Sequence, residues 1–196
     1  MCPAGGGSVK EVRAGELIPD FRPESELERR ITAEPELVAG LAWGRPWSGH
    51  PEGTVAAHVA DLLERIDESG ETGERRAALR LLVLVHDSFK YRVAEGYPRV
   101  GENHHAMRAR RFAERYTDDD ALLATIELHD RPYALWRRYR RTGRLKESAF
   151  DRMMEEIADP DLFLAFVALD GSTRGKSPEP VRWFEDQLER RGYLTG

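Results

Sequence analysis

The chain has 196 residues, which is the size of one domain with a single core. Its 30 lysine and arginine residues against 35 aspartate and glutamate residues give a net charge of −5, so no overall positive field draws it to nucleic acid or to an anionic membrane. One cysteine, Cys2, excludes an internal disulfide and any metal site built from several cysteines.

The apolar runs of the sequence are short. The run 81–85 has five residues and the longest, 162–169, has eight, whereas a membrane span needs about 18 to 20. The glycine-rich segment 5–7 has no apolar stretch around it and is unlike a signal peptide. Together with the single cysteine, these features predict a cytoplasmic protein that does not enter a membrane.

Helix start and stop signals delimit almost every segment after Pro23, and runs with the alternating pattern of a strand are absent. The sequence therefore predicts an all-α protein. Residues 1 to about 20 are rich in glycine and are expected to form a flexible lead-in to one helical domain over 21–196. Thr117 or Asp118 is the expected N-cap of one helix and Asp159 that of another. The predicted helices cover 24–31, 35–43, 51–68, 73–88, 103–116, 118–130, 132–141, 145–158, 160–170 and 180–191.

All the histidines lie within the central 80 residues, at positions 50, 58, 86, 104, 105 and 129. Helical spacing sorts them by face. His58 lies on the apolar stripe of its predicted helix, three residues after Val55. His86 and Asp87 directly follow the apolar run 81–85, at the end of the helix predicted to be the most buried.

The adjacent His104 and His105 are separated by the same test. Helical steps from His105 meet apolar residues such as Phe112, whereas steps from His104 meet a line of arginines that begins at Arg108. We therefore expect His105 to face the core and His104 to share a basic outer face.

His129 and Asp170 also fall on apolar stripes. His129 follows Ile126 by three residues, and Asp170 is in register with Phe163 and Phe166. Taken singly, each such residue is more readily explained as a hydrogen-bonded core residue or a helix cap. Four histidines and two aspartates on the core faces of five helices instead favour a metal site.

Neutral imidazoles and carboxylates are ligands suited to Mn, Fe, Co, Ni or Zn. Six of them are enough for one or two divalent ions, and paired ions lie about 3.5 to 4 Å apart. In a two-ion site, Asp87 would be the shared ligand. The candidate metal ligands are His58, His86, Asp87, His105, His129 and Asp170.

In this order along the chain, the candidate ligands resemble the HD superfamily of metal-dependent phosphohydrolases. Residues 82–90, LVLVHDSFK, are similar to the family's apolar run ending in HDxGK, with Phe89 at the usual glycine position. Residues 50–55, HPEGTV, and 170–175, DGSTRG, resemble HD domains attached to tRNA nucleotidyltransferases. The resemblance covers about 48–176, and the nucleotidyltransferase half has no counterpart here.

The resemblance implies a single-domain HD-type helical bundle that hydrolyses a phosphate ester with the help of metal. The substrate would be a nucleotide or another small phosphorylated compound, cleaved by phosphomonoesterase or phosphodiesterase chemistry. Of the candidate ligands, His105 and His129 are implied to hold a second ion or to contact the phosphate, and the other four to hold the principal ion.

Asp87, Lys90 and Arg174 are the residues expected to act in catalysis. Asp87 would hold the ion that activates a water molecule. Lys90 and Arg174 would contact the phosphate, because a cation beside the metal stabilises developing negative charge.

Two other functions remain open. Some members of the same superfamily are oxygenases, and four histidines with two aspartates can also hold a di-iron centre. The third hypothesis is a non-catalytic regulatory module that binds metal or a nucleotide.

Two further segments carry weaker signals. His50 and Glu52 could reach the mouth of the site or cap the following helix. The basic run from Arg137 to Arg144 could contact nucleic acid, but the net charge of −5 favours a solvated helix face.

Overall fold

The computed structural model describes residues 13–46 and 53–194. Over these residues the regular structure consists of eleven α-helices, two short 3-10 helices and one isolated bridge between Gly44 and Thr54. The predicted all-α class is thereby confirmed. No helix of the described part is long and apolar enough to cross a bilayer.

Each of the ten predicted helices has a counterpart with ends that differ by at most four residues, and the short helix Ala14–Leu17 was not predicted. The 3-10 helices are Lys90–Arg92 and Gly101–Asn103. The α-helices are α1 Ala14–Leu17, α2 Glu26–Thr32, α3 Pro35–Leu41, α4 Val55–Ser69, α5 Gly73–Val85, α6 His105–Ala113, α7 Asp120–Leu128, α8 Arg131–Thr142, α9 Glu147–Glu156, α10 Pro160–Gly171 and α11 Glu179–Arg191.

Side-chain caps set several helix starts. Asp159 accepts a hydrogen bond from the Leu162 amide at 2.9 Å, which confirms it as the N-cap of α10. The N-cap of α7 is Asp119, one residue later than predicted. Its Oδ1 accepts from two amides at 2.9 and 3.1 Å, so neither Thr117 nor Asp118 is the cap.

Part of the predicted lead-in is packed. Within the described residues before position 20, α1 places Ala14 and Ile18 in the core, with exposures of 2% and 1%. Ala14, Leu17 and Ile18 are spaced like one face of a helix, which the glycine-based prediction overlooked. The folded unit therefore begins before residue 20.

The core is centred on α5. Its residues 81–85 are almost entirely buried, and the helix packs against α4, α7 and α10. A second apolar cluster, built around Phe150, Phe163 and Phe184, lies among α9, α10 and α11. This arrangement brings the first turn of α4 and the C-terminal ends of α5, α7 and α10 to one region.

A buried ion pair joins α2 to α5. The Arg80 guanidinium binds Glu28 through two hydrogen bonds of 2.8 and 2.9 Å, and both side chains are at most 4% exposed. Arg80 also donates to the Arg22 carbonyl at 3.0 Å. Because removing one partner leaves the other charge buried, this pair constrains how the N-terminal helices sit on the core.

We expect Arg80→Met to lower the free energy of unfolding by about 3 kcal/mol or more, since Glu28 then loses its compensating charge. Glu28→Leu should cost less, because Arg80 keeps the carboxylate of Glu24 at 3.2 Å, and the double variant should cost less than the sum of the two. Urea denaturation measures all three. The control Arg65→Met removes a half-exposed pair with Asp61 and should change stability by only about 0.5 kcal/mol. Additive single effects would contradict this account.

A glycine sets the distance between α3 and the end of α5. A Cβ added to Gly40 would lie 1.6 Å from the carbonyl oxygen of Ser88, so the two backbones touch directly. Ser88 immediately follows Asp87. The α3 backbone thus supports the peptide segment that carries a candidate metal ligand.

Gly40→Ala is expected to destabilise the fold by about 2 kcal/mol, because the new methyl group must displace backbone. Gly15→Ala is the matched control, since its Cβ would meet only the Phe21 carbonyl oxygen at 3.9 Å. Thermal unfolding of the two variants measures the difference. Equal melting temperatures would show that α3 can move away without cost.

Candidate metal centre

The six predicted ligands come together at the end of the bundle. His58 lies in the first turn of α4, His105 begins α6, and His86 with Asp87 follows α5. His129 is the C-cap of α7, and Asp170 lies in the last turn of α10. Helix ends from five different elements therefore supply the donors.

Asp170 connects His58 to His86. Its Oδ1 atom lies 3.0 Å from His58 Nε2 and 3.8 Å from His86 Nε2. The two histidines are buried, with side chains 4% and 0% exposed, whereas the Asp170 side chain is 24% exposed. Asp170 therefore lies on the more open side of this group.

Asp87 connects the two halves of the centre. Its Oδ2 lies 3.5 Å from His86 Nε2, and its Oδ1 lies 3.4 Å from His105 Nε2 and 3.8 Å from His129 Nε2. Donor atoms of His58, His86 and Asp87 lie within 4.8 Å of one another, as do those of Asp87, His105 and His129. A carboxylate that belongs to both groups is what a bridging ligand requires.

Backbone carbonyls orient two of the imidazoles. His86 Nδ1 lies 3.2 and 3.1 Å from the carbonyl oxygens of Leu82 and Val83, and His129 Nδ1 lies 2.8 Å from that of Ile126. Since a carbonyl only accepts, Nδ1 carries the proton and Nε2 offers its lone pair to the centre. His86 Nε2 is buried and has no hydrogen-bond partner among the described residues. The donor set thus fits a divalent transition metal.

Burial controls the protonation of the histidines. It lowers the pKa of His86 to about 3 and also lowers the pKa of His105. Burial opposes the charged form of His129 as well, but the carboxylates of Asp87 and Asp130 outweigh it and raise its pKa. His86 is accordingly neutral at physiological pH, which is the form that binds metal.

Two lysines neutralise the carboxylates. Burial favours protonated Asp87 and Asp170, but Lys90 beside Asp87 and Lys176 beside Asp170 hold the pKa of both carboxyl groups well below the usual range. Lys90 Nζ bonds directly to Asp87 Oδ2. Lys176 Nζ donates to Asp170 Oδ1 at 2.8 Å and to its carbonyl oxygen at 2.9 Å. Both acids are therefore ionised.

The cation at Asp170 is Lys176, a residue that the sequence did not single out. Arg174 is exposed. The chain turns back at Gly175, where φ is +89°, and this turn brings Lys176 against the end of α10. The glycine of this turn could be identified in the sequence. Helical spacing does not apply beyond the end of α10, so it could not show which cationic side chain lies next to Asp170.

His104 does not share a solvated outer face as expected. Its side chain is 20% exposed, its Nε2 lies 3.2 Å from Asp130 Oδ2, and its ring stacks on His105 at 4.8 Å. His104 is the N-cap of α6, accepting from the Ala106 amide at 3.3 Å, so helical phase does not predict its direction.

The sequence did not identify Asp130 as a candidate residue, because Asp130 follows the end of α7 and lies on no apolar stripe. Burial opposes its ionisation, but the hydrogen bond with His104 and the nearby imidazoles together outweigh burial and lower its pKa to about 2. His104, His105 and Asp130 form a third cluster of donor atoms within 4.8 Å of one another. Asp130 is thereby the anion that holds His104 beside the centre.

The remaining candidates lie elsewhere. His50 and Glu52 fall outside the described residues. The basic run lies on an exposed part of α8, where Arg137 and Arg140 cover the rings of Tyr133 and Trp136 at 5.8 and 5.6 Å.

Comparison with protein-family models, with curated proteins and with solved structures found no match to this chain.

In metal-free protein, His86 should make stability depend on pH. The folded state keeps His86 unprotonated down to about pH 3, whereas the unfolded chain binds a proton near pH 6.5, so stability falls as the pH drops between these values. From about pH 6 to about pH 5, wild type should lose about 1 kcal/mol more than His86→Gln in urea denaturation. Parallel pH profiles would contradict the assignment of a neutral buried imidazole.

Proposed function

We propose that this protein is a metal-dependent phosphohydrolase acting on a nucleotide or another small phosphorylated compound. The observation that carries the proposal is the position of Asp87 between two clusters of imidazoles, with His86 and His129 oriented by backbone carbonyls. The proposed ligands are the six predicted from sequence, and the motif resemblance to HD-domain phosphohydrolases supports the same chemistry.

One or two divalent ions held by these residues would supply a nucleophilic hydroxide from bound water and neutralise charge on the phosphoryl oxygens. The chain itself supplies orientation and charge. The Nδ1 hydrogen bonds of His86 and His129 fix their rings, so little reorganisation accompanies metal binding. Asp87 and Asp170 are already ionised, so neither must lose a proton first.

The residues of the centre differ in exposure. His58, His86, Asp87 and His129 are buried, whereas the side chains of Asp170, Lys90 and Lys176 are 24%, 29% and 23% exposed. A phosphate ester would therefore approach past these three residues.

We assign phosphate contact to Lys90 and Lys176. Each ammonium group lies against a proposed ligand carboxylate and can stabilise negative charge on a phosphoryl group held there. Arg174, exposed in the same turn as Lys176, remains a proposed contact to the substrate phosphate. Catalysis by phosphomonoesterase or phosphodiesterase chemistry uses the same arrangement.

Asp87→Asn should reduce bound transition metal and phosphoester hydrolysis by about 100-fold or more, because both ligand clusters lose their shared charge. Elemental analysis and release of nitrophenol from phosphate monoesters and diesters, with Mn, Co, Ni, Zn or Fe added, measure the two effects. Lys146→Met alters an exposed lysine away from the centre and should change neither.

The same measurements separate the alternatives. Two bound irons with a mixed-valence signal, oxygen consumption and no phosphoester cleavage would identify a di-iron oxygenase. Bound metal without turnover, together with a nucleotide that raises the melting temperature, would identify a regulatory module. Full hydrolysis by Asp87→Asn would show that the centre lies elsewhere.

A further inference from the structure

A basic groove lies beside the candidate metal centre, between α3, the 3-10 helix Lys90–Arg92 and α6. Its volume is about 260 Å³. Two aromatic rings, Phe89 and Phe112, contribute to its walls. Four guanidinium groups and two carboxylates line it, which gives a local charge of +2 in a chain whose net charge is −5. These charged residues are Arg92, Arg108, Arg111, Arg115, Glu36 and Glu102.

Three of the four arginines have carboxylate partners. Arg92 and Arg115 both bind Glu36, the former at 3.1 Å, and Arg111 pairs with Glu102. Arg115 also covers the ring of Phe112 at 4.7 Å. One glutamate thus serves two guanidinium groups, and the positive charge of the groove exceeds what its own acids balance.

Arg108 is the exception. Within residues 13–46 and 53–194 it makes no ion pair, and its Nε is buried without a hydrogen-bond partner. A buried donor on a charged group is costly to leave unpaired, and water does not reach this atom. An oxyanion such as phosphate would instead bind the terminal Nη groups of this guanidinium, which can donate two parallel hydrogen bonds.

The groove and the metal centre share two elements. On α6, His105 belongs to the centre and Arg108, one turn later, belongs to the groove. On the 3-10 helix, Lys90 contacts Asp87 and Arg92 lines the groove. A ligand with one phosphate at the centre and a second anionic group a few bonds away would therefore contact both sites.

We propose that the groove is a phosphate-binding subsite in which Arg108 binds the anion and Arg92 and Arg115 supply additional positive charge. Binding of an anion in the groove is independent of catalysis. Its role as a specificity subsite, which would select substrates that carry a second phosphate group, rests on the proposed phosphohydrolase function.

Titration calorimetry of chelator-treated protein with inorganic pyrophosphate tests the subsite without the metal centre. We expect saturable one-site binding that weakens at high salt, and a dissociation constant about tenfold higher for Arg108→Gln. Arg108→Lys keeps the charge but loses the fork and should also bind more weakly. Arg138→Gln, on the exposed part of α8, is the matched control and should bind like wild type.

The outcomes separate the two proposals. Pyrophosphate binding that is absent from metal-free wild type, or unchanged in both Arg108 variants, would overturn the subsite whatever the enzyme does. Binding that depends on Arg108 in a protein without hydrolase activity would keep the subsite and remove the proposed function. With an active enzyme, Arg108→Lys should raise KM for a substrate with two phosphate groups and leave nitrophenyl phosphate unaffected. If Arg108→Gln does not fold, Arg108→Lys decides the calorimetric test.

Discussion

The buried carboxylate of Asp87 imposes a requirement that organises the end of the bundle. An ionised acid in the core is stable only when cations and hydrogen-bond donors surround it. Lys90 meets that need from the segment after α5, and the Nε2 atoms of His86, His105 and His129 lie within 3.8 Å of the same carboxylate. The same convergence creates a set of nitrogen and oxygen donors, so the residues that surround this buried charge are also the candidate ligands of a metal ion.

Helix ends make this convergence possible. Side chains at helix termini can be directed by the local backbone, as the carbonyls of Leu82, Val83 and Ile126 do for His86 and His129. The Gly40 contact holds α3 against the backbone that follows Asp87, and the Glu28–Arg80 pair locks α2 onto α5. Packing remote from the donors therefore limits how far Asp87 can shift relative to the other ligands.

Sequence periodicity predicted the parts of the molecule that are periodic. The helices and the inward direction of His58, His129 and Asp170 follow from a 3.6-residue repeat and a buried face. Periodicity did not predict the positions of three side chains, those of His104, Lys176 and Asp130. Each of these residues lies just outside a helix, where the geometry of the turn decides the direction of the side chain. Pairing between distant segments was equally hidden: neither Glu28 nor Arg80 carries a local signal for the other. The sequence of α1 has the apolar spacing of a helix, but the nearby glycines favoured the prediction of a flexible segment.

Charge balance links the centre to the ligand class we infer. Two ionised aspartates and two lysines cancel, and imidazoles that coordinate a metal do so in the neutral form, so the candidate donor set would add little net charge. Each divalent ion held there would leave an excess of positive charge in a partly buried site, and such an excess is balanced by an anion. The basic groove extends the same field beyond the metal ligands, because Glu36 is shared by two arginines and Arg108 has no acidic partner in the described chain. A compound with closely spaced phosphate groups would balance both excesses of positive charge, whereas a neutral compound would balance neither.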